Sequence, residues 1–219
     1  FVLLILQFLT YGVYASNIFY ASGNGKKKQI ALTFDDGPGA NTQEILEILK
    51  DKDIKATFFL LGTCVRKRPQ IAKEIYENGH EIANHTYSHI NFFKYNNSDK
   101  KQKITEEMLK CEKEIEKACG YKTKIVRFPY GFSRQPAISA ASENGYFVVN
   151  WSFGCDWQKK LSKEKMLEDY TKNIKPGAIF LMHTLSKNEK LAYLLPKLID
   201  NAQKSGYEIV TISELLELK

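Results

Sequence analysis

Short unbroken apolar runs alternate along this chain with longer stretches whose apolar residues recur every three or four positions. The first run is Ile30-Ala31-Leu32-Thr33-Phe34, and others cover 55–62, 81–84, 124–128, 146–151, 178–182 and 208–211. Runs of this length, bounded by Gly, Pro or Asn, predict strands. Amphipathic patterns lie between them. Ile45, Leu46, Ile48 and Leu49 predict a helix over 42–50, and Ile104, Met108, Cys111 and Ile115 mark one face of a charged helix over 98–119 that stops at Gly120. Further helices are expected over 69–77, 135–144, 162–174, 190–205 and 212–218. A strand without polar alternation is covered on both faces, so this pattern argues for parallel strands clothed by helices. The count is about seven strand–helix units, arranged as a barrel or an open doubly wound sheet. No Gly-x-Gly-x-x-Gly follows a strand, which argues against a dinucleotide site. Polar residues collect just past the strand C-termini instead, which in a parallel barrel is the functional face.

A length of 219 residues suits one domain, and 43% hydrophobic with 26% charged residues is the balance of a globular protein. The net charge of +7 favours an anionic partner such as a cell wall. The lysines are scattered, with no arginine stripe carrying interleaved aromatics, so no nucleic-acid partner is expected. Residues 1–22 begin with Phe1-Val2-Leu3-Leu4-Ile5-Leu6 and read as a signal peptide or membrane anchor, with small residues at Ala15-Ser16 and Ala21-Ser22 for cleavage. Residues 23–28 read as a linker, and 29–219 as the domain. That implies an exported protein whose membrane contact is limited to its N-terminal segment. The four cysteines form no Cys-x-x-Cys, which excludes a zinc ribbon, and Cys111 and Cys119 lie too far apart along one helix for a disulfide. Together with Cys64 and Cys155 they receive no role.

Five polar sets mark the expected functional face. Asp35 and Asp36 end the first strand before Gly37-Pro38. Adjacent strand residues point to opposite faces, so one carboxylate can hold a metal while the other acts as a base. Asn84-His85-Thr86-Tyr87-Ser88-His89 follows another strand and holds two of the chain's four histidines. His-x-x-x-His places two imidazoles on one side of a helical turn, and a nearby carboxylate completes a two-His, one-carboxylate site suited to zinc or another first-row metal. His80, just before that strand, reads as structural. Arg127-Phe128-Pro129-Tyr130-Gly131 offers an arginine that can keep a carboxylate ionised and a turn that can present an N–H to an oxyanion. Trp151-Ser152-Phe153-Gly154-Cys155-Asp156-Trp157 offers Trp157 as a wall for a sugar ring. His183, at the end of Leu181-Met182-His183, becomes a general acid if a carboxylate such as Asp156 raises its pKa. Each set alone has an ordinary alternative: an acidic turn, a surface histidine pair, a turn with a surface arginine, core aromatics, a rim histidine.

Taken together and in order, the five sets resemble the polysaccharide deacetylases, the NodB-homology domain of the carbohydrate esterases. The resemblance covers roughly 28–219 and runs through Thr33-Phe34-Asp35-Asp36-Gly37, His85-Thr86-Tyr87-Ser88-His89, Arg127-Phe128-Pro129-Tyr130-Gly131, Asp156-Trp157 and Leu181-Met182-His183. It implies a distorted (β/α) barrel of about seven parallel strands and metal-dependent removal of acetyl groups from amino sugars. By resemblance, Asp36, His85 and His89 hold a divalent metal, Zn²⁺ foremost, with Co²⁺ or Mn²⁺ as alternatives. Asp35 is the base, steadied by Arg127. His183 is the acid, tuned by Asp156, and the Tyr130 N–H serves the oxyanion. Pro129, Tyr130, Trp157 and Leu181 contact the substrate. The partner implied is a polysaccharide, the peptidoglycan glycan strand, met by a monomer in the bacterial cell envelope.

A narrower likeness, to the delta-lactam-forming muramic acid deacetylases, rests on Trp151-Ser152, Asp156-Trp157 and the stretch from His183 to Asn188. The chain departs from that subgroup in keeping the second aspartate and in having Tyr130 where arginine is common. Muramic acid and glucosamine therefore both stand as substrates, with chitin oligomers and acetylated xylan as alternatives in the same class. An inactive carbohydrate-binding relative would lack a base, a ligand or the acid, and this chain has Asp35, Asp36, His85, His89 and His183.

Overall fold

Every apolar run becomes a parallel strand in the structure, a computed structural model that describes residues 18–185 and 188–218. β1 (Phe19–Tyr20), β2 (Gln29–Gly37), β3 (Thr57–Leu60), β4 (Glu81–Asn84), β5 (Ile125–Val126), β6 (Phe147–Val149) and β7 (Ile179–His183) form a path in the order β1-β6-β5-β4-β3-β2-β7. β8 (Glu208–Ile209) pairs with Gln29 and Ile30 at the start of β2. The path curls. Beyond β6 the chain crosses to β7, where the Ser152 N–H donates to the Ile179 carbonyl and the Leu181 N–H to the Phe153 carbonyl, both at 2.9 Å. That bridge closes the upper rim, so the expected distorted barrel is what the residues build.

Helices cover the outside: α1 (Thr42–Asp51), α2 (Gly62–Lys67), α3 (Pro69–Glu77), α4 (Lys100–Cys119), α5 (Gln135–Glu143), α6 (Lys163–Lys172), α7 (Glu189–Lys204) and α8 (Ile212–Leu215). The buried stripe of α7, Leu191, Leu194, Leu195, Leu198, Ile199 and Ala202, joins Phe34, Phe58 and Phe180 in the largest core cluster. Residues repeating at this spacing share one helix face, so burying the stripe seats the helix. All four β3 residues are buried, as an unbroken apolar run requires.

Three expectations change. α2 was not expected, because Gly62 reads as a strand stop and 63–68 have no apolar period. Phe19 and Tyr20 belong to the sheet, pairing with Val148 and Val149 of β6, although they fall inside the segment read as a leader. The stretch read as a linker is tied to the barrel at its start, where the Gly23 N–H donates to the Gly177 carbonyl at 2.8 Å. The remainder of the leader reading, residues 1–17, lies outside the described residues. Among the described residues no helix is long and apolar enough to cross a membrane.

Candidate active site

The C-terminal ends of β2, β4, β5 and β7 and the loop after β6 open into one cavity of about 850 Å³. It is lined by Asp35, Asp36, His85, His89, Tyr130 and His183 among others. Strict strand alternation would send Asp35 and Asp36 to opposite faces. The structure corrects that expectation. The β2–β3 register shifts between Asp35 and Gly37, and Asp36 takes a left-handed φ of 68°. This bulge turns both carboxylates into the cavity, each within reach of His85 Nε2: Asp36 Oδ1 at 3.4 Å and Asp35 Oδ2 at 3.7 Å. A non-glycine residue at positive φ is strained, and such strain collects where function over-determines the backbone.

The two histidines do not sit on a helical turn, as their spacing suggested. They lie on a loop in which Thr86 (φ 69°) and His89 (φ 61°) are left-handed. His85 Nδ1 lies 2.7 Å from the Arg127 carbonyl. A carbonyl only accepts, so in the neutral ring the proton is on Nδ1 and the lone pair on Nε2. His89 Nε2 is 3.3 Å from Asp36 Oδ1. Burial, then the neighbouring His85, push the His89 pKa below the ordinary imidazole value, which favours a neutral donor. One donor atom each from Asp36, His85 and His89 falls within 4.8 Å of the others. Among the described residues Asp36 Oδ1 is buried with no hydrogen-bond partner. Donors bound to a tetrahedral zinc at about 2.0–2.1 Å stand roughly 3.3 Å apart, so the spacing, the free lone pair and the orphaned oxygen all fit a divalent ion.

Asp35 is clamped from beneath. Arg127 Nη1 donates to Asp35 Oδ1 at 2.7 Å and to Thr33 Oγ1 at 2.8 Å. Its Nε and Nη2 donate to the carbonyls of Val149 and Asn150. The guanidinium is fully buried, 3.9 Å from the Phe59 ring centroid, and spans the barrel interior from β6 to β2. A charge-assisted clamp of this kind holds Asp35 in one orientation. On the other side of β2, His183 stands in register with Asp35. Asp156 holds it twice, accepting the His183 backbone N–H on Oδ2 and the ring Nδ1–H on Oδ1, both at 2.9 Å. Burial opposes the imidazolium, but Asp156, with Asp35 and Asp36 further off, outweighs it and raises the pKa to about 9.

Tyr130 is left-handed at φ 59° within the turn Pro129–Gly131, and its ring edge meets His89 at 4.9 Å. Among the described residues nothing accepts a hydrogen bond from its N–H. Trp157, half exposed, stands edge-on to His183 at 5.5 Å, and Leu181 lies on the cavity floor. Pro129 is buried within the turn and is not among the residues that line the cavity. The sequence left Trp151, Lys159, Leu185, Asn188 and Lys190 without roles, yet all five line the cavity. Trp151 carried a signal, as one of two tryptophans just past a strand. Leu185 and Asn188 fall in the 183–188 stretch of the narrower likeness, and Lys159 and Lys190 carried no signal. His80 is buried, and its Nδ1 accepts the Ala56 N–H at 3.3 Å, a structural role as expected.

A three-donor cluster flanked by a clamped carboxylate and a clamped imidazole at barrel strand ends defines a class, the metal-assisted hydrolases. Comparison narrows it. The family model "Polysaccharide deacetylase" matches residues 22–149, and this chain belongs to that family. The chain is 36% identical over 200 residues to a peptidoglycan-N-acetylglucosamine deacetylase of Bacillus cereus, covering 90% of this chain and 71% of the relative. It is 31% identical to the peptidoglycan-N-acetylmuramic acid deacetylase PdaA of Bacillus subtilis, covering 89% and 73%. Among solved structures, the Bc1960 peptidoglycan N-acetylglucosamine deacetylase superposes with a TM-score of 0.86 at 33% identity, covering 93% of this chain and 94% of that one. A CE4 family pseudoenzyme of Bacillus anthracis superposes at 0.82 with 32% identity, covering 91% and 69%. Active and inactive relatives are thus comparably similar, and the residues in the cavity must carry the mechanistic reading.

Proposed function

We propose that this chain hydrolyses the N-acetyl group of N-acetylglucosamine residues in peptidoglycan, as an exported monomer acting in the bacterial cell envelope. The observation that carries the reading is the pairing of Asp35 and His183 across β2 and β7, each clamped by its own partner and both facing the Asp36–His85–His89 cluster. Asp36, His85 and His89 would hold Zn²⁺, or Co²⁺ or Mn²⁺ on the same donors. When bound, the ion supplies Lewis-acid polarisation of the amide carbonyl and acidifies a water. Asp35 takes the proton of the attacking water, and Arg127 keeps that carboxylate aimed. The free Tyr130 N–H donates to the oxygen on which negative charge develops. His183 enters as imidazolium, its Nδ1–H held by Asp156, and its other ring N–H protonates the departing amine. The C–N bond breaks, and acetate and a free amino sugar leave. Trp157 and Leu181 bound the space for the acetyl methyl and sugar ring. The net charge of +7 favours approach to an anionic wall.

Acetate release from peptidoglycan by the zinc-loaded chain tests this. Release should stop on chelation and return with zinc. Asp35→Asn should lower it by about 10²–10⁴-fold while zinc affinity stays within a few-fold. Unchanged release in Asp35→Asn removes Asp35 as base, and glycan binding without release makes the chain a binding module.

A further inference from the structure

The loop between His85 and His89 has no ladder of its own, and its polar groups are held from outside. The Thr86 N–H donates to Asn84 Oδ1 at 2.8 Å, and Asn84 Nδ2 donates to the Met108 carbonyl on α4 at 2.8 Å. The carbonyls of Thr86 and Tyr87 accept from Gly62 and Thr63, at 3.0 and 2.9 Å, where α2 begins. Ser88 is held by Glu107 on α4. Its N–H donates to Oε2 at 2.7 Å, and its Oγ lies 2.9 Å from both carboxylate oxygens.

Glu107 is unusual for its place. It is 5% exposed. Among the described residues it has no ion-pair partner, since the nearby Lys103 pairs with Glu106. Lys110 lies over the Tyr87 ring at 3.9 Å instead. Burying a carboxylate without a counter-ion is costly unless hydrogen bonds support its charge. Among the described residues both donors it engages belong to Ser88, the residue before His89. His89 is left-handed at φ 61°, a conformation that the loop must be held in rather than fall into.

We propose that Glu107 is a positioning residue for the metal site. By gripping the Ser88 amide and hydroxyl it sets the His89 imidazole against Asp36 and His85. Glu107 and Met108 are consecutive on α4, so one turn of that helix fixes both ends of the loop, Thr86 through Asn84 and Ser88 directly. The inference rests on Asp36, His85 and His89 being metal ligands. Partners one step removed from a metal commonly set its affinity by 10–100-fold.

The test is zinc affinity of the full metal-free chain, by competition with a chromophoric chelator well below the unfolding temperature, with the Co²⁺ absorption spectrum as second readout. His89→Ala should lose zinc binding. Glu107→Ala should weaken it by about 10–100-fold and alter the Co²⁺ spectrum, with folding checked by circular dichroism. Glu107→Gln, which keeps an oxygen for the Ser88 N–H, should recover most of the loss. A merely structural Glu107 would lower the unfolding temperature and leave both metal readouts alone. Zinc affinity within twofold of wild type in Glu107→Ala, with His89→Ala defective, overturns the inference and leaves the metal site standing. If Glu107→Ala does not fold, Ser88→Ala decides: a several-fold loss supports the inference, and unchanged affinity overturns it. Wild-type affinity in His89→Ala means the ligand reading fails, and this inference with it.

Discussion

His183 carries the largest functional consequence of its surroundings. In the proposed mechanism its protonated form is the acid, and Asp156 holds the pKa up to about 9. Activity that needs the imidazolium is therefore present below that value and lost as pH rises through it. Asp156→Asn removes the partner charge, so the alkaline limb of kcat/KM should move down from near 9 toward the ordinary imidazole range, read from a pH profile of acetate release. An unmoved limb would mean another group sets it. The same scale shows what a sequence can convey. Asp35, Asp36, His85, His89, Arg127 and His183 were legible as candidates because five polar sets near strand ends, taken in order, resemble one family, although each set alone has an ordinary alternative. The means by which Asp36 reaches the cavity was not legible. A bulge and a left-handed aspartate break the alternation on which strand reading depends, and neither leaves a mark in composition.

At the scale of elements, α2 is where reading and structure part most. Its first two N–H groups dock the histidine loop, and Gly62 makes the approach possible. A Cβ there would stand 2.5 Å from the Tyr87 ring and 3.0 Å from the Cys111 backbone. Gly62→Ala should destabilise the fold by about 1–3 kcal/mol, measured by urea unfolding, and weaken zinc binding through the loop. Wild-type stability and affinity would show that the contact relaxes freely. The strands and long helices were legible because burial on two faces or one leaves a period in the sequence. α2 is short, with polar Thr63, Arg66 and Lys67, and its glycine is there for closeness rather than for a turn. β1 was hidden for a different reason: two residues at an edge look like the tail of the apolar segment before them.

For the whole molecule, stability and catalysis answer to pH through different histidines. His80 is neutral in the fold, its pKa pushed down to about 4 by burial and then by Lys55. The unfolded chain takes up a proton near the ordinary value, so stability is full above that value and falls as pH drops toward 4. Between pH 7 and 5 the His80 share of the loss should be about 2 kcal/mol, seen as a difference in urea unfolding between wild type and His80→Gln. Equal pH dependence in both would contradict it. The acid limb thus threatens the fold at one end of the barrel while the alkaline limb silences the acid at the other. The central claim is amide hydrolysis on a cell-wall glycan, and mass spectrometry of muropeptides after incubation with the zinc-loaded chain tests it most directly. The account predicts loss of one acetyl mass, which fragmentation places on glucosamine. Loss placed on muramic acid would move the substrate within the same chemistry. No loss from either sugar, with zinc bound and the chain folded, would contradict the account.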